Sequence, residues 1–207
     1  MENDIVVFDF DKTLTYRDTL LNFYIHTSKK NFKFPIKLSY YIGLMILFKL
    51  KIISNDYLKI KGFNLFLRGL KDDYIENKAK NFASKIDYND LYKTFNFNTK
   101  KKIIIIISAS YEIYLKYIFS KNVKVFGSKF ISVKGIISEF SFNWYSTNKN
   151  YILQKNGVNS IRTLYTDSYS DVSLARISKQ IVIVNNDKLI KCKDINEFNL
   201  YFNKWKF

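Results

Sequence analysis

The sequence contains few cysteine, histidine, proline and glycine residues. Its 207 residues include one cysteine, one histidine, one proline and six glycines. The single Cys192 excludes an internal disulfide and is typical of a reducing compartment. The single His26 has no partner in any motif, so we expect it to be structural or simply exposed. No internal repeat, low-complexity tract or signal peptide is evident, and we therefore expect a cytoplasmic protein.

Acidic residues are also scarce. The chain has 34 lysines and arginines against 18 aspartates and glutamates, which gives a formal net charge of +16. Such a charge suits a nucleic acid or an anionic membrane as partner. It equally suits the codon bias of an AT-rich genome, because lysine, asparagine, isoleucine, phenylalanine and tyrosine are abundant while alanine, glycine and proline are rare. No zinc-finger, RNP-type or helix-turn-helix pattern is present, so we expect no nucleic-acid partner and leave the other two explanations open.

What the sequence does contain is a pair of aspartates behind an apolar run. Ile5 to Phe8 predicts a short buried strand, and Asp9 and Asp11 follow it with one residue between them. Because side chains alternate along a strand, the two carboxylates point the same way. Like charges this close raise each other's pKa unless a cation lies between them, and Mg²⁺ is the default hard cation for oxygen ligands. The alternative is a strand that ends in an acidic turn.

Further polar residues occupy comparable positions later in the chain. Ser108 ends the apolar run KKIIIIIS, and Asp167 ends another short predicted strand. Asp171 comes four residues after Asp167, and Lys149 begins a helical pattern in STNKNYILQ. Ligands of parallel sheets bind beyond the carboxyl ends of the strands, so we expect Asp9, Ser108 and Asp167 to converge there.

In this order and spacing, the motifs resemble those of the haloacid dehalogenase (HAD) superfamily, specifically its phosphoserine-phosphatase-like branch with a small helical C1-type cap. DFDKTLT matches the first motif of that family, SAS the second, Lys149 the third and TDSYSD the acidic fourth. The match extends over essentially the whole chain. Lys12 and Thr166 depart from it, because the family usually has glycine at both positions. Neither position carries a catalytic side chain in the family.

The resemblance implies a phosphomonoester hydrolase that works through an aspartyl-phosphate. Asp9 would be the nucleophile, and Asp11 would protonate the leaving oxygen and then deprotonate the attacking water. Thr13, Ser108 and Lys149 would bind the phosphoryl group and neutralise its charge. Ser108 also suits the N-cap of a following helix, whose N-terminus favours anions.

The resemblance also implies Mg²⁺ as the cofactor. Asp9, the backbone carbonyl of Asp11 and Asp167 would be the metal ligands, while Asp171 would position them or supply a second carboxylate. Lys149 could instead be an ordinary solvated lysine. The lysine of the third motif could also be Lys155, which lies further into the helix.

The predicted fold is an α/β fold with a doubly wound parallel sheet, since strands alternate with helices along the chain. A hydrophobic content of 47% excludes a disordered protein, and the length allows one sizeable core plus a small insert. From the resemblance we expect a HAD-like Rossmannoid core in residues 1–16 and 97–207, and a helical cap in 17–96. Later core strands are predicted at 102–107, 123–126, 162–166 and, as the last one, 180–184, with a hairpin at 130–142 and helices at 111–119, 151–155, 172–177 and 198–207.

Asp18 and Arg68, both in the predicted cap, are candidates for selecting the substrate. In phosphoserine phosphatases an acidic residue at the spacing of Asp18 from Asp9 contacts the substrate amine. Asp18 equally suits the N-terminus of a helix that starts near Leu20. Arg68 either contacts a substrate anion from the cap or is an ordinary surface arginine.

A basic, apolar stretch within the predicted cap suggests a membrane contact. No acidic residue occurs from Thr19 to Asn55, and the apolar segment 38–48 (LSYYIGLMILF) is too short to span a bilayer. It suits either the interface of an anionic bilayer, with the protein peripheral at the inner membrane face, or a buried cap helix. The expected substrate is accordingly either a small-molecule phosphomonoester or a lipid or membrane-linked phosphate. A further alternative is that the protein is a non-catalytic binding module. The lysines around the segment are Lys29, Lys30, Lys33, Lys37, Lys49 and Lys51.

Overall fold

One sheet contains all seven strands that the computed structural model describes in residues 4–28 and 32–203. The strands are β1 (Ile5–Phe8), β2 (Ile103–Tyr111), β3 (Lys124–Val133), β4 (Ile136–Phe142), β5 (Ile161–Thr166), β6 (Ser178–Asn185) and β7 (Lys188–Cys192). They lie in the order β4-β3-β2-β1-β5-β6-β7. The five inner strands are parallel, and the edge strands β4 and β7 are antiparallel to their neighbours. The predicted α/β class and doubly wound sheet are confirmed.

The apolar runs of β1 and β2 place these strands at the centre of the sheet. Every residue of β1 is buried, as is Ile104 to Ile107 of β2. Strands covered on both faces need apolar side chains at consecutive positions, which explains why these runs do not alternate. Val7 pairs with Ile105 on one side and Leu164 of β5 on the other. The register brings the residues that follow β1 and β5 to the same edge of the sheet.

Two expectations about the secondary structure are wrong, one about a strand and one about a helix. The strand predicted at 180–184 is not the last one, because β7 follows a turn at Asn186, whose φ is +54°. Only Cys192 of β7 is buried, as expected for a strand at the edge of the sheet. The sequence of β7 therefore lacks the apolar run that identified the inner strands. The helix predicted at 111–119 is reduced to the four residues Glu112–Leu115, because β2 continues to Tyr111. Ser108 therefore lies within a strand and does not precede a helix.

Five of the described helices lie between β1 and β2, in the segment predicted to be a cap. They are α1 (Leu20–Thr27), α2 (Phe34–Lys49), α3 (Asn55–Phe66), α4 (Asp72–Ala83) and α5 (Asp90–Thr94). The later helices are α6 (Glu112–Leu115), α7 (Thr147–Lys155), α8 (Val172–Ala175) and α9 (Ile195–Asn203). None of the helices described in residues 4–28 and 32–203 combines the length and apolarity needed to cross a membrane. The predicted tail helix packs on the core through Phe198, and residues 204–207 lie outside the described residues.

The two faces of the sheet are covered by different elements. Val6 and Phe8 of β1 face a cluster that contains Phe23 of α1, Phe63 of α3 and other side chains of the helices between β1 and β2. Ile5 and Val7 face the opposite way, toward α7, α8 and α9. Full burial of an aromatic side chain of this size contributes about 1.5–3 kcal/mol. The helical segment is thus held to the sheet by a continuous aromatic core.

Two helical glycines of this segment should respond in opposite ways to alanine. A Cβ atom added at Gly62 of α3 would lie 2.6 Å from the ring of Tyr24 and 2.8 Å from that of Tyr41, whereas one at Gly43 of α2 would meet nothing within 4 Å. We expect Gly62→Ala to lower the free energy of unfolding by about 1–3 kcal/mol through overpacking. Gly43→Ala should raise it by up to about 1 kcal/mol, because alanine is the better helix former. Urea unfolding followed by circular dichroism measures both; equal effects would contradict this packing.

Candidate active site

The carboxyl ends of the central strands open into a cavity of about 280 Å³. Asp9 follows β1 directly, while Asp167 follows the neighbouring β5 and Ser108 projects from β2 on the other side of β1. The convergence expected from the sequence is therefore observed. The cavity is lined by Asp9, Asp11, Lys12, Asp18, Lys59, Ser108, Ser110, Lys149 and Asp167, together with Leu20, Phe48, Asn55, Ala109, Tyr145, Ser168 and Ser170.

Lys149 joins two aspartates at the base of this cavity. Its Nζ atom lies 2.7 Å from Asp9 Oδ1 and 2.7 Å from Asp171 Oδ1, and only 3% of its side chain is exposed. Burial alone lowers the pKa of Lys149, but the charges of Asp171 and Asp9 outweigh it and raise that pKa above its ordinary value. Lys149 is thus a cation fixed beside Asp9. Lys155, at the end of the same helix, is exposed and does not line the cavity.

Asp167 lies beside this group, and its surroundings disfavour its ionised form. Burial, followed by the charges of Asp9 and Asp171, raises the pKa of Asp167 to about 8, although Lys12 and Lys149 oppose the rise. The Thr13 hydroxyl donates a hydrogen bond to Asp167 Oδ1 at 3.4 Å. Thr13 is fully buried and is not among the residues that line the cavity, so its hydroxyl is directed to Asp167.

The chemistry of the carboxylates fits a hard divalent cation. Within the described ranges, no three carboxylate, imidazole or thiol side chains cluster as a ready metal site. Mg²⁺ needs fewer protein ligands than that, since it is commonly bound through one or two carboxylates, water and a substrate phosphate. A cation between Asp9 and Asp167 would remove the repulsion that raises the pKa of Asp167. The backbone carbonyl of Asp11 could be a further ligand.

Asp11 is held by donors that the sequence analysis did not single out. Its Oδ1 accepts hydrogen bonds from the backbone nitrogen of Thr19 at 2.8 Å and from the Thr19 hydroxyl at 2.6 Å, and its Oδ2 accepts one from the Ser110 hydroxyl. Burial and then the charge of Asp18 raise the pKa of Asp11 to about 7, which these hydrogen bonds moderate. Ser110 could have been found from the sequence, because residues 108 and 110 of one strand share a face.

The two departures from the family pattern have structural explanations. Lys12 has φ of +58°, a left-handed conformation that glycine adopts without strain. Thr166 is buried, and its hydroxyl donates a hydrogen bond to Asp171 Oδ2 at 2.7 Å. The Thr166 hydroxyl also accepts a hydrogen bond from the backbone nitrogen of Ser168 at 3.1 Å. Threonine at this position therefore fixes Asp171, which in turn contacts Lys149.

Lys59 is a second buried cation at the cavity, and the sequence analysis missed it. It lies in α3, it is 2% exposed, and its Nζ has no hydrogen-bond acceptor among the described residues. Its Nζ lies 5.1 Å from the ring centroid of Tyr111. Burial lowers the pKa of Lys59 to about 8, although Asp11 and Asp18 oppose this. Its spacing from Gly62, Phe63 and Phe66 is helical, which marks it as an inward position.

Of the two candidates for selecting the substrate, Asp18 lies at the cavity and Arg68 does not. Asp18 lines the cavity, and its Oδ1 accepts a hydrogen bond from the backbone nitrogen of Leu20 at 3.0 Å, so the position near the site and the role at the start of α1 are compatible. Arg68 is exposed in the turn after α3 and lines a separate pocket with Ser28 and Lys37. The structure does not bring Arg68 to the cavity.

Comparison with known proteins agrees with this arrangement. The family model of haloacid dehalogenase-like hydrolases matches residues 6–176, which is most of the chain. The chain therefore belongs to the HAD-like hydrolase family, and the prediction of an enzyme of the hydrolase class is confirmed. A sequence comparison with curated proteins gives no match.

Solved structures with the same fold include two phosphoserine phosphatases and a nucleotidase. A substrate-bound phosphoserine phosphatase complex is 15% identical, with a TM-score of 0.65 over 97% of this chain and 99% of that chain. A phospho-aspartyl intermediate analogue of phosphoserine phosphatase is 16% identical, with a TM-score of 0.58 over 97% and 99%. Cytosolic 5′-nucleotidase IIIB bound to cytidine is 14% identical, with a TM-score of 0.56 over 89% and 70%. At these identities the likeness is one of fold, and the chain has a phosphoserine-phosphatase-like HAD fold.

Proposed function

We propose that this protein is a Mg²⁺-dependent phosphomonoester hydrolase that works through an aspartyl-phosphate on Asp9. The observation that carries the proposal is the buried Lys149 ammonium, 2.7 Å from Asp9 Oδ1, beside a second carboxylate at the same end of the sheet. A dianionic phosphate can approach the Asp9 carboxylate only where cations offset the repulsion between them. Lys149 supplies one such charge, and Mg²⁺ bound by Asp9, Asp167 and the Asp11 carbonyl would supply the rest.

Asp9 and Asp11 divide the chemistry between them. A carboxylate oxygen of Asp9 attacks phosphorus, the bond from phosphorus to the ester oxygen breaks, and Asp11 gives its proton to that oxygen. Water then attacks the phosphorus of the aspartyl-phosphate, Asp11 takes a proton from the water, and the bond from phosphorus to Asp9 breaks. A pKa of about 7 suits both steps, because Asp11 must give and accept a proton at neutral pH. Ser108 and Lys149 contact the phosphoryl oxygens, and Asp171 holds Lys149.

A substrate screen tests the proposal directly. The purified protein, assayed with Mg²⁺ against amino-acid, sugar, nucleotide and lipid phosphates, should release inorganic phosphate from at least one of these classes. A non-catalytic binding module would release none from any class, at any protein concentration, while the protein remains folded. The screen therefore distinguishes the proposal from that alternative.

Lys59 supports a substrate with a second anionic group. A buried ammonium without an acceptor is costly, and a carboxylate or second phosphate in the cavity would pair with it. We expect Lys59→Met to lower kcat/KM about 10- to 100-fold for a phosphomonoester that carries a second anion. For a simple aryl phosphate the loss should be below about threefold, because no group then reaches Lys59.

A matched control and a stability measurement separate this role from a structural one. Lys155→Met changes the same side chain at an exposed position of α7 and should alter neither substrate's kinetics. The thermal unfolding temperature of Lys59→Met should not fall, because methionine removes a buried charge without leaving a hole. An equal loss of kcat/KM for both kinds of substrate would contradict recognition by Lys59.

The second candidate is hydrolysis of a lipid or membrane-linked phosphate. The observation that favours it is the exposure of large apolar side chains on α2, including Ile36 and Ile46. The chemistry at Asp9 would be the same, and only the part of the substrate outside the phosphate would differ.

A further inference from the structure

One side of α2 exposes apolar residues that nothing in the described part of the chain covers. Only Tyr41 and Leu44 of the 16 residues in α2 are buried. We call the uncovered side, together with the residue just after it, the α2 face. It consists of Ile36, Tyr40, Ile42, Ile46 and Leu50, whose exposed fractions are 69%, 51%, 43%, 54% and 63%.

The residues of the α2 face lie on one continuous side of the helix. At 100° per residue, Ile36, Ile46 and Leu50 fall within a quarter turn, and Tyr40 and Ile42 flank them. The buried Tyr41 lies opposite, and the buried Leu44 lies just beyond Tyr40. Phe32 and Ile52, exposed by 80% and 65%, extend the surface at either end. A helix that is apolar all round is normally covered all round. α3 packs against the inner side of α2, so the outer side requires a further partner.

The charges around the α2 face indicate what that partner is. Lys33, Lys49 and Lys51 are exposed at its two ends, and no acidic residue occurs from Thr19 to Asn55. Lys37 is directed to the inner side of α2, where its Nζ donates a hydrogen bond to the Leu65 carbonyl at 2.9 Å. In a two-fold dimer the face would pack against itself and bring the lysines at its ends toward their copies, which costs free energy. An anionic surface avoids that repulsion and pairs with the lysines. Lys29 and Lys30 of the same stretch lie outside the described residues.

We propose that the α2 face docks on an anionic lipid bilayer with the helix parallel to the membrane plane. The 16 residues of α2 extend about 24 Å, which is less than the hydrocarbon thickness of about 30 Å. The isoleucines and leucine enter the boundary between headgroups and acyl chains, Tyr40 lies at headgroup level, and the lysines contact lipid phosphates. Each lysine near such a surface strengthens partition about fivefold.

The helix that carries the α2 face also borders the catalytic cavity with its inner side. Phe48 of α2 lines that cavity, as do Asn55 and Lys59 of α3. Because Phe48 lies on the inner side of α2, between Leu44 and Tyr41, a membrane at the α2 face lies one helix diameter, about 10 Å, from the residues that surround the substrate. If the proposed phosphatase function holds, on which this step alone rests, the substrate is a phosphomonoester borne by a lipid whose chains stay in the bilayer.

Vesicle flotation with the full-length Asp9→Asn protein measures docking without turnover. The probes are vesicles of phosphatidylcholine alone and vesicles in which about 30% of the lipid is anionic phosphatidylserine. We expect binding to the anionic vesicles at low salt, weakened by high salt and absent for phosphatidylcholine alone. Ile42→Ser/Ile46→Ser should weaken binding by about tenfold or more, and so should Lys49→Glu/Lys51→Glu.

A matched control keeps the test specific. Leu189→Ser/Leu200→Ser changes two side chains of similar exposure, 49% and 59%, on β7 and α9, and should bind as the parent does. All four replaced residues of the two serine variants are exposed or partly so, and unchanged circular dichroism verifies that both fold. Absence of binding to anionic vesicles at low salt overturns the proposal, and so does equal binding by the Ile42→Ser/Ile46→Ser variant. A concentration-dependent dimer that this variant abolishes, without vesicle binding by the parent, would assign the face to a second copy of the chain instead.

The substrate step has its own readout. Wild-type protein should hydrolyse a phosphomonoester presented on anionic vesicles faster than the same headgroup in solution, and Ile42→Ser/Ile46→Ser should remove that difference while leaving hydrolysis of a soluble aryl phosphate unchanged. Docking without any phosphatase activity would leave the membrane contact standing and reject the proposed function. Activity without vesicle binding would do the reverse.

Discussion

Asp9→Asn should reduce kcat for phosphomonoester hydrolysis by at least about 10⁴-fold, the scale seen when a nucleophile is removed from an enzyme. An amide is nearly isosteric with the carboxylate but lacks the charge and basicity to attack phosphorus. Asp11→Asn should also impair turnover, because the amide cannot exchange a proton with the leaving group or water. Since Asp11 acts in both steps, this variant is expected to retain phosphate on Asp9 if the first step still occurs, and mass spectrometry of acid-quenched protein would detect it.

The Asp9→Asn variant should fold, and a matched variant controls for the chemical change. Lys149 keeps its contact with Asp171 Oδ1 at 2.7 Å in that variant, so the ammonium is not left unpaired and the protein should fold. Asp73→Asn makes the same chemical change at an exposed position in the first turn of α4 and should retain activity. Normal turnover by folded Asp9→Asn protein would reject Asp9 as the nucleophile.

Removal of the metal should have the second large effect. Chelation with EDTA should abolish turnover, and excess Mg²⁺ should restore it in the wild-type protein. Asp167→Ala should lower kcat/KM by at least about 10³-fold, because one carboxylate fewer leaves the cation weakly held beside Asp9. Added Mg²⁺ should not rescue this variant at concentrations that saturate the wild type.

Calorimetric titration with Mg²⁺ separates loss of metal from loss of structure. Asp167→Ala should bind Mg²⁺ far more weakly than the wild type, while its unfolding temperature is retained or raised. A rise is expected because burial, and then repulsion by Asp9 and Asp171, disfavour the Asp167 carboxylate and raise its pKa to about 8. Undiminished turnover after thorough chelation would show that the carboxylates serve another purpose.

The central strands and the residues that end them were predictable from the sequence because they depend on local structure. The buried run before Asp9 needs a strand, and a strand alternates its side chains, so Asp9 and Asp11 share a direction wherever the strand lies. Parallel pairing then brings the end of β5, and with it Asp167, to the same edge. Lys149 was identified from motif order, and its burial between Asp9 and Asp171 agrees with that choice over Lys155.

The tertiary structure decided how the helical segment meets the site. Lys59 and Arg68 are both basic residues in or near α3. The sequence analysis named only Arg68, either as a substrate contact or as a surface arginine, yet Lys59 lines the cavity and Arg68 lines another pocket. Which of them reaches the site depends on the rotation of α3 about its axis, and that rotation is fixed by the close approach of Gly62 to the rings of Tyr24 and Tyr41. Contacts of this kind join residues distant in the chain and leave no periodic signal.

The outer side of α2 illustrates the same division. By itself the sequence determined that residues 38–48 form an apolar segment that is too short to span a bilayer and is flanked by lysines. A uniform apolar composition has no preferred face, so it could not say which residues are covered. Packing against α3 buries Tyr41 and Leu44 and leaves Ile36, Ile42 and Ile46 outside, because one neighbouring helix can cover only one side of another.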